Sequence, residues 1–364
     1  MKTGKLWDIF CKVIDNYGDI GVCWRLATGL AERGERVRLW VDDPSALQWM
    51  APDAISCIVV MPWTQTIQTE SLAPGDILIE AFACEVPPEF IEFYAKSCLK
   101  SGQRPVWINL EYLTAEDFAV RNHGLPSPVM SGPGSGLTKH FYYPGFSAST
   151  GGLLRESDLK VRLAQFDRSK WLSQYGVEIG HERLISLFCY EPPALLDLLE
   201  QLAADDCPTR LLITSGRASI AVQTCIELKN KADPSWNQRG ALSFTYIPAL
   251  SQRDFDHLLW ACDLNFVRGE DSLIRALWAN KPFVWQIYPQ DDEVHHIKLD
   301  AFLRMLDAPP SLWEFHHVWN GISKSILPRI ELLEWGKTVA QANAIQVKQL
   351  DLVTQLMGFA TKNH

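Results

Sequence analysis

"LWDIFCKVIDNYGDIGVCWRLATGLAERGERVRLWVDD" (residues 6–43) decides the fold class. "LWDIFCKVI" (6–14) reads as a strand. "GVCWRLATGLAERG" (21–34) puts Val22, Trp24, Leu26 and Leu30 on one helical face closed by Gly34, and "RVRLWVDD" (36–43) is a second strand. Strand, helix, strand is a β-α-β unit, the building block of a parallel sheet covered on both faces. Working outward, strands are expected at 57–63, 76–82 and 105–113, with a helix over 88–102. From Gly124 to Gly152 the chain is dense in Gly, Pro and Ser and lacks periodicity, so it reads as loop and linker.

The alternation then resumes, with strands expected at 183–191, 210–216, 242–248, 263–269 and 282–289. Helices are expected near 193–204, 218–230, 251–261 and 271–279, and one or two more over 328–358. The fold expected is α/β: two Rossmann-like domains, 1–150 and 151–330, facing across a cleft, with a helical segment, 331–364, packing back on the first. A chain of 364 residues exceeds what one core usually organises, and 47% hydrophobic with 21% charged residues is ordinary globular composition. Asp8, Lys12 and Asp15 interrupt the first apolar run, which argues against a signal peptide, and no uncharged run approaches a membrane span. Nine cysteines without C-x-x-C spacing suggest reduced thiols and a cytoplasmic location. A net charge of −9 argues against gripping nucleic acid.

Open α/β sheets bind ligands at the carboxyl ends of their strands, so the loops there carry the candidate chemistry. "NFVRGEDSLIRALWANKPFVWQIYP" (265–289) reads as strand, loop, helix, strand, with the helix starting at Asp271 or Ser272. Its N-terminus suits a diphosphate, with Ser272 adding a hydrogen bond, Arg268 nearby, and Glu270 or Asp271 taking sugar hydroxyls. Alternatively, Asp271 only caps the helix and Glu270 is solvated. In "LFCYE" (187–191), Phe188, Tyr190 and Glu191 either line the same crevice or form core aromatics. Gln252 in "SQRDF" either reads a nucleobase edge or sits on the surface. Asp15 and Asp19 in "DNYGDIG" place two carboxylates where a phosphate cradle wants none. A donor held in the second domain makes that loop the acceptor site, with one carboxylate as general base. Asp19 equally reads as the cap of a helix beginning near Ile20, and Asp15 as the close of a turn. In "QDDEVHH" (290–296), Asp291, Asp292, Glu293, His295 and His296 converge poorly on one metal.

"WDIFCKVIDNYGDIGVCWRLA", "VRLWVDD", "WINLEYL", "CDLNFVRGEDSLIRALWANKPFVWQIYPQ" and "HIKLDAFL" closely resemble the bacterial protein-arginine rhamnosyltransferases that modify elongation factor P. The resemblance implies a B-type glycosyltransferase fold, TDP-β-L-rhamnose as donor, no metal or other cofactor, and inversion at the anomeric carbon. It implies Asp15 and Asp19 as catalytic carboxylates, with Asp19 the general base, and Glu270 as essential. Arg268, Asp271, Ser272, Tyr190 and Gln252 would surround the TDP moiety, with Phe188 near thymine. Where relatives carry an aromatic, this chain has Ala249, so base stacking falls to Phe188 or another ring. The acceptor expected is the folded N-terminal domain of elongation factor P, because exposed ion pairs alone order a mobile arginine weakly. The alternatives are a B-type transferase with another nucleotide sugar and a small or lipid acceptor, or a non-catalytic module. The three carboxylates Asp15, Asp19 and Glu270 argue against the latter.

Overall fold

The computed structural model describes residues 4–363 except 15–16, 64–66, 74, 103–105, 179, 237–239 and 290–293. Contacts divide the chain into two units, 1–157 with 348–364, and 158–347.

Among the described residues the first unit holds β1 (Leu6–Cys11), β2 (Arg36–Val41), β3 (Ile58–Pro62), β4 (Ile77–Ala81), β5 (Val106–Leu110), β6 (Pro126–Pro128) and β7 (Thr138–Tyr142). Their order is β3-β2-β1-β4-β5-β7-β6, parallel except for β6, which runs antiparallel to β7 at the edge. The stretch 124–152, read as loop and linker, therefore contributes two strands. Of these, β6 was illegible because it is "PSP", three residues at an edge where missing amide donors are tolerated.

All of β1 is buried, and its residues alternate between two cores. Trp7, Ile9 and Cys11 meet Ile20, Cys23, Leu26, Ala27 and Leu30 of the helix Gly18–Glu32, whose spacing gives one apolar stripe. Val22 and Trp24, expected on that face, pack only at its margin. Phe10 points to the other core, beneath the helix Pro88–Ser101. Asp8 shares that face fully buried, gripped by Arg38 through Nε (2.6 Å) and Nη2 (2.7 Å) and by the Trp40 indole N–H (2.8 Å). Burial pushes its carboxyl above the ordinary value, and Arg38 opposes that push. Gly75 must be glycine here, since a Cβ would lie 2.1 Å from Asp8 Oδ2. The helix Leu352–Asn363 completes the first core with Leu352, Val353, Leu356 and Ala360, and the Leu352 N–H donates to the Leu153 carbonyl (2.9 Å).

The second unit contains β8 (Arg183–Leu187), β9 (Thr209–Thr214), β10 (Leu242–Ile247), β11 (Leu264–Arg268) and β12 (Phe283–Gln286), all parallel in the order β10-β9-β8-β11-β12. Its helices Gln252–Ala261 and Gly269–Ala279 are locked by a buried bidentate pair, Arg275 to Asp256, with both bonds at 2.7 Å. The end of the chain forms two helices: Leu332–Gln346 belongs to this unit and Leu352–Asn363 to the other. All nine cysteines are free thiols. No described helix is long and apolar enough to cross a membrane.

Candidate functional site

Each sheet reverses its strand order once beside its first strand, between β1 and β4 and between β8 and β11. Crevices beyond the carboxyl ends at such reversals are where open α/β sheets bind ligands.

In the first unit the loop after β1 leads into the helix Gly18–Glu32, whose N-cap position is Tyr17 without a side-chain cap. Asp19 is thus inside the first turn and does not cap the helix. Its side chain, 3% exposed, turns back so that Oδ2 accepts from the Ile14 N–H (2.8 Å), tying the loop to the helix. Oδ1 lies 3.5 Å from the Tyr112 hydroxyl, just past β5. The Tyr112 ring stacks on Phe82, centroids 4.6 Å apart and planes 18° apart. Phe82 (φ 57°) and Ala83 (φ 52°) follow β4 in the left-handed region, which costs non-glycine residues energy and clusters at functional sites. Next to Tyr112, burial raises the Glu111 carboxyl, partly opposed by a hydrogen bond from the Asn109 amide (2.7 Å). Asp15 falls outside the described residues.

In the second unit β11 turns into its helix at Gly269, whose φ of 65° permits the sharp bend, and Arg268 holds the N-cap position. The start expected at Asp271 or Ser272 therefore comes two to three residues early, and neither residue caps. Ser272 sits buried in the first turn, its hydroxyl donating to the Arg268 carbonyl and accepting from the Arg268 N–H (3.1 Å). Glu270 is paired with Lys298 of the helix Val294–Met305.

The Arg268 guanidinium lies between two rings, 4.6 Å from the Phe188 centroid and 4.5 Å from Tyr190. Arg217 covers Tyr190 at 4.8 Å and pairs with Glu191, and this bond holds the Glu191 carboxyl below the usual range. The Tyr190 N–H donates to Gln286 of β12 (2.8 Å), which fixes the loop. Phe188 meets Phe255 edge-on at 5.2 Å, and Phe255 belongs to the helix opened by Gln252 and capped by Ser251. Two arginines, aromatic rings and a helix N-terminus form an arrangement chemically suited to an anion carrying a planar group.

The structure thus gathers Phe188, Tyr190, Arg268, Glu270, Asp271 and Ser272 at one strand reversal, and sets Asp19 at the other. Gln252 opens a helix after the edge strand β10. The sequence reading did not single out Phe82, Tyr112, Arg217, Phe255 or Lys298. Asp19 and Tyr112 are 93 positions apart, so no local pattern announces their contact. Of the acidic and histidine residues in "QDDEVHH", read as converging poorly on a metal, 291–293 fall outside the described residues. His295 and His296 open the helix Val294–Met305, and among the described residues no three His, Cys, Asp or Glu side chains group to hold a metal.

Residues 7–361 match the family described as elongation-factor P (EF-P) rhamnosyltransferase EarP. The chain is 41% identical over 377 residues to the protein-arginine rhamnosyltransferase of Pseudomonas putida, covering 97% of this chain and 98% of that relative. A solved structure described as the basis for EarP-mediated arginine glycosylation of translation elongation factor EF-P superposes with TM-score 0.64 at 29% identity, covering 98% of this chain and 99% of that one. Acinetobacter baumannii MurG superposes with TM-score 0.51 at 10% identity, covering 99% of both chains, a likeness of fold alone. The two units have the B-type glycosyltransferase fold.

Proposed function

Because the chain belongs to the EarP family of EF-P rhamnosyltransferases, we propose that it transfers L-rhamnose from TDP-β-L-rhamnose to an arginine side chain of EF-P, with inversion and without a metal ion. The observation that carries this reading is the chemical contrast between the two strand reversals. One presents the buried carboxylate of Asp19, and the other presents Arg268 held between Phe188 and Tyr190.

The donor diphosphate lies against Arg268, Arg217 and the first-turn N–H groups of the helix Gly269–Ala279. That positive ensemble stabilises the departing TDP. Phe188, backed by Phe255, takes the thymine ring, with Gln252 at its edge and Tyr190 and Asp271 toward the diphosphate and sugar. Ser272 acts through the elbow it braces, and Glu270, oriented by Lys298, is the essential carboxylate of this unit. In the first unit Asp15 and Asp19 grip the guanidinium of the acceptor arginine.

Transfer is a single displacement. One guanidinium nitrogen attacks the anomeric carbon opposite the leaving oxygen, the C–O bond breaks as the C–N bond forms, and TDP departs with the electron pair. A guanidinium has a pKa above 12, so prior proton transfer to an ordinary aspartate is uphill by about 8 units, on the order of 11 kcal/mol. The proton therefore passes to Asp19 as the new bond forms, and alignment supplies much of the rate. Intact-mass analysis of EF-P incubated with this protein and TDP-rhamnose tests the reading. One rhamnosyl addition on an arginine is expected, and an unmodified EF-P refutes it.

A further inference from the structure

We propose that Tyr112, backed by Phe82, is the platform on which the planar acceptor group is stacked and the residue that selects a guanidinium over an ammonium. The inference rests on the assignment of the acceptor to the first unit. Three independent observations converge on this pair. The two rings are nearly parallel at 4.6 Å, so Phe82 covers one face of Tyr112, while Tyr112 keeps 38% of its surface exposed. Phe82 is brought beneath Tyr112 by a left-handed backbone conformation, sustained over both Phe82 and Ala83, that an aromatic residue rarely adopts. The Tyr112 hydroxyl reaches Asp19 Oδ1 at 3.5 Å, longer than a full O–H···O bond. The hydroxyl thus steers that carboxylate oxygen while leaving an incoming N–H able to compete for it.

The chemistry of the two side chains makes the choice. Carboxylates attract an ammonium and a guanidinium alike, so Asp19 by itself separates them poorly. A guanidinium is planar, weakly hydrated and stacks on an aromatic face, whereas an ammonium is a compact, strongly hydrated point charge. Stacked on Tyr112, the guanidinium presents its edge to Asp19, the orientation in which a nitrogen can shed its proton to Oδ1.

Acceptor selectivity in Tyr112→Leu, Tyr112→Phe and Tyr112→Trp tests the inference with the full-length enzyme and folded EF-P. The unaltered enzyme should bind EF-P about tenfold more tightly than EF-P carrying lysine at the modified position, about 1.4 kcal/mol. In Tyr112→Leu that ratio should fall toward one and the KM for EF-P should rise about tenfold, with TDP affinity unchanged by calorimetry. Tyr112→Trp should restore most of the ratio because it restores a ring. Tyr112→Phe should keep the ratio but lower kcat several-fold and alter its pH profile, because only the hydroxyl on Asp19 is gone. A folding defect produces no such split: it would lower the melting temperature and weaken both acceptors alike. Transfer by the unaltered enzyme with an unchanged arginine-to-lysine ratio in Tyr112→Leu overturns this inference alone. Absence of any transfer to EF-P overturns the proposed function and this inference with it.

Discussion

Asp19 does two jobs that two substitutions can separate. Its Oδ2 accepts the Ile14 N–H at 2.8 Å and so holds the loop after β1, while in the proposed mechanism its charge is the base. In Asp19→Asn the amide oxygen can take the Ile14 bond, so the loop keeps its shape and the base disappears. General-base loss is typically 10²–10⁴ in rate, and kcat for EF-P should fall by about that factor. In Asp19→Ala the rate should fall as far, but the Ile14 amide also loses its partner, costing about 1–2 kcal/mol of stability. Single-turnover transfer at saturating EF-P, TDP calorimetry and thermal unfolding read the three consequences. TDP affinity should stay within about twofold in both variants because the proposed donor residues lie in the other unit. Asp19→Asn retaining more than about a tenth of the rate, against the hundredfold minimum expected of a lost base, would remove Asp19 from its role. A tenfold loss of TDP affinity would assign the loop to the donor.

The remaining expectations are these. Arg268→Lys keeps the charge but loses the plane held between Phe188 and Tyr190, so TDP affinity should drop about tenfold by calorimetry; an unchanged affinity moves the diphosphate elsewhere. Activity should survive excess EDTA, and rescue of a chelated, inactive sample by magnesium would overturn the metal-free mechanism. His316 is fully buried, accepting from the Trp285 N–H at 2.9 Å, and burial pulls its pKa down to about 4. It therefore stabilises the fold above the ordinary histidine value near 6.5, and about 2–3 kcal/mol should vanish as pH falls from 6.5 toward 4. Melting curves of His316→Gln should be flatter across that window, and an equal acid slope in both proteins refutes the assignment. Arg275→Ala removes the bidentate partner of a buried carboxylate, Asp256, so a loss of about 3 kcal/mol is expected in unfolding experiments; less than about 1 kcal/mol would show the pair idle.

The β-α-β reading of residues 6–43 and the second alternation were legible because parallel strands are continuous apolar runs and their helices carry one apolar stripe. The edge strand β6 and its neighbour β7 were hidden in a stretch dense in Gly, Pro and Ser. The start of the helix at Gly269 was missed because capping preference favoured Asp271 and Ser272, whereas a left-handed glycine set the turn. Donor-side candidates stood out because Phe188, Tyr190 and Arg268 sit at or beside strand ends. Arg217 and Phe255 did not, since each is one polar or apolar residue on a helix until the fold brings it to those rings. Tyr112 and Phe82 were invisible for the same reason: stacking across β4 and β5 has no sequence period.

The helix Leu352–Asn363 has a consequence for synthesis. A ribosome makes the first unit's strands early, yet Leu352, Val353, Leu356 and Ala360 of that unit's core emerge only after the whole second unit has been made. The second unit can close before the helix Leu352–Asn363 is made, but the unit carrying Asp19 must wait with an apolar seam uncovered until that helix emerges. A chain stopped before this helix is therefore unfinished in the unit that carries Asp19, whose core closes only once Leu352–Asn363 is present.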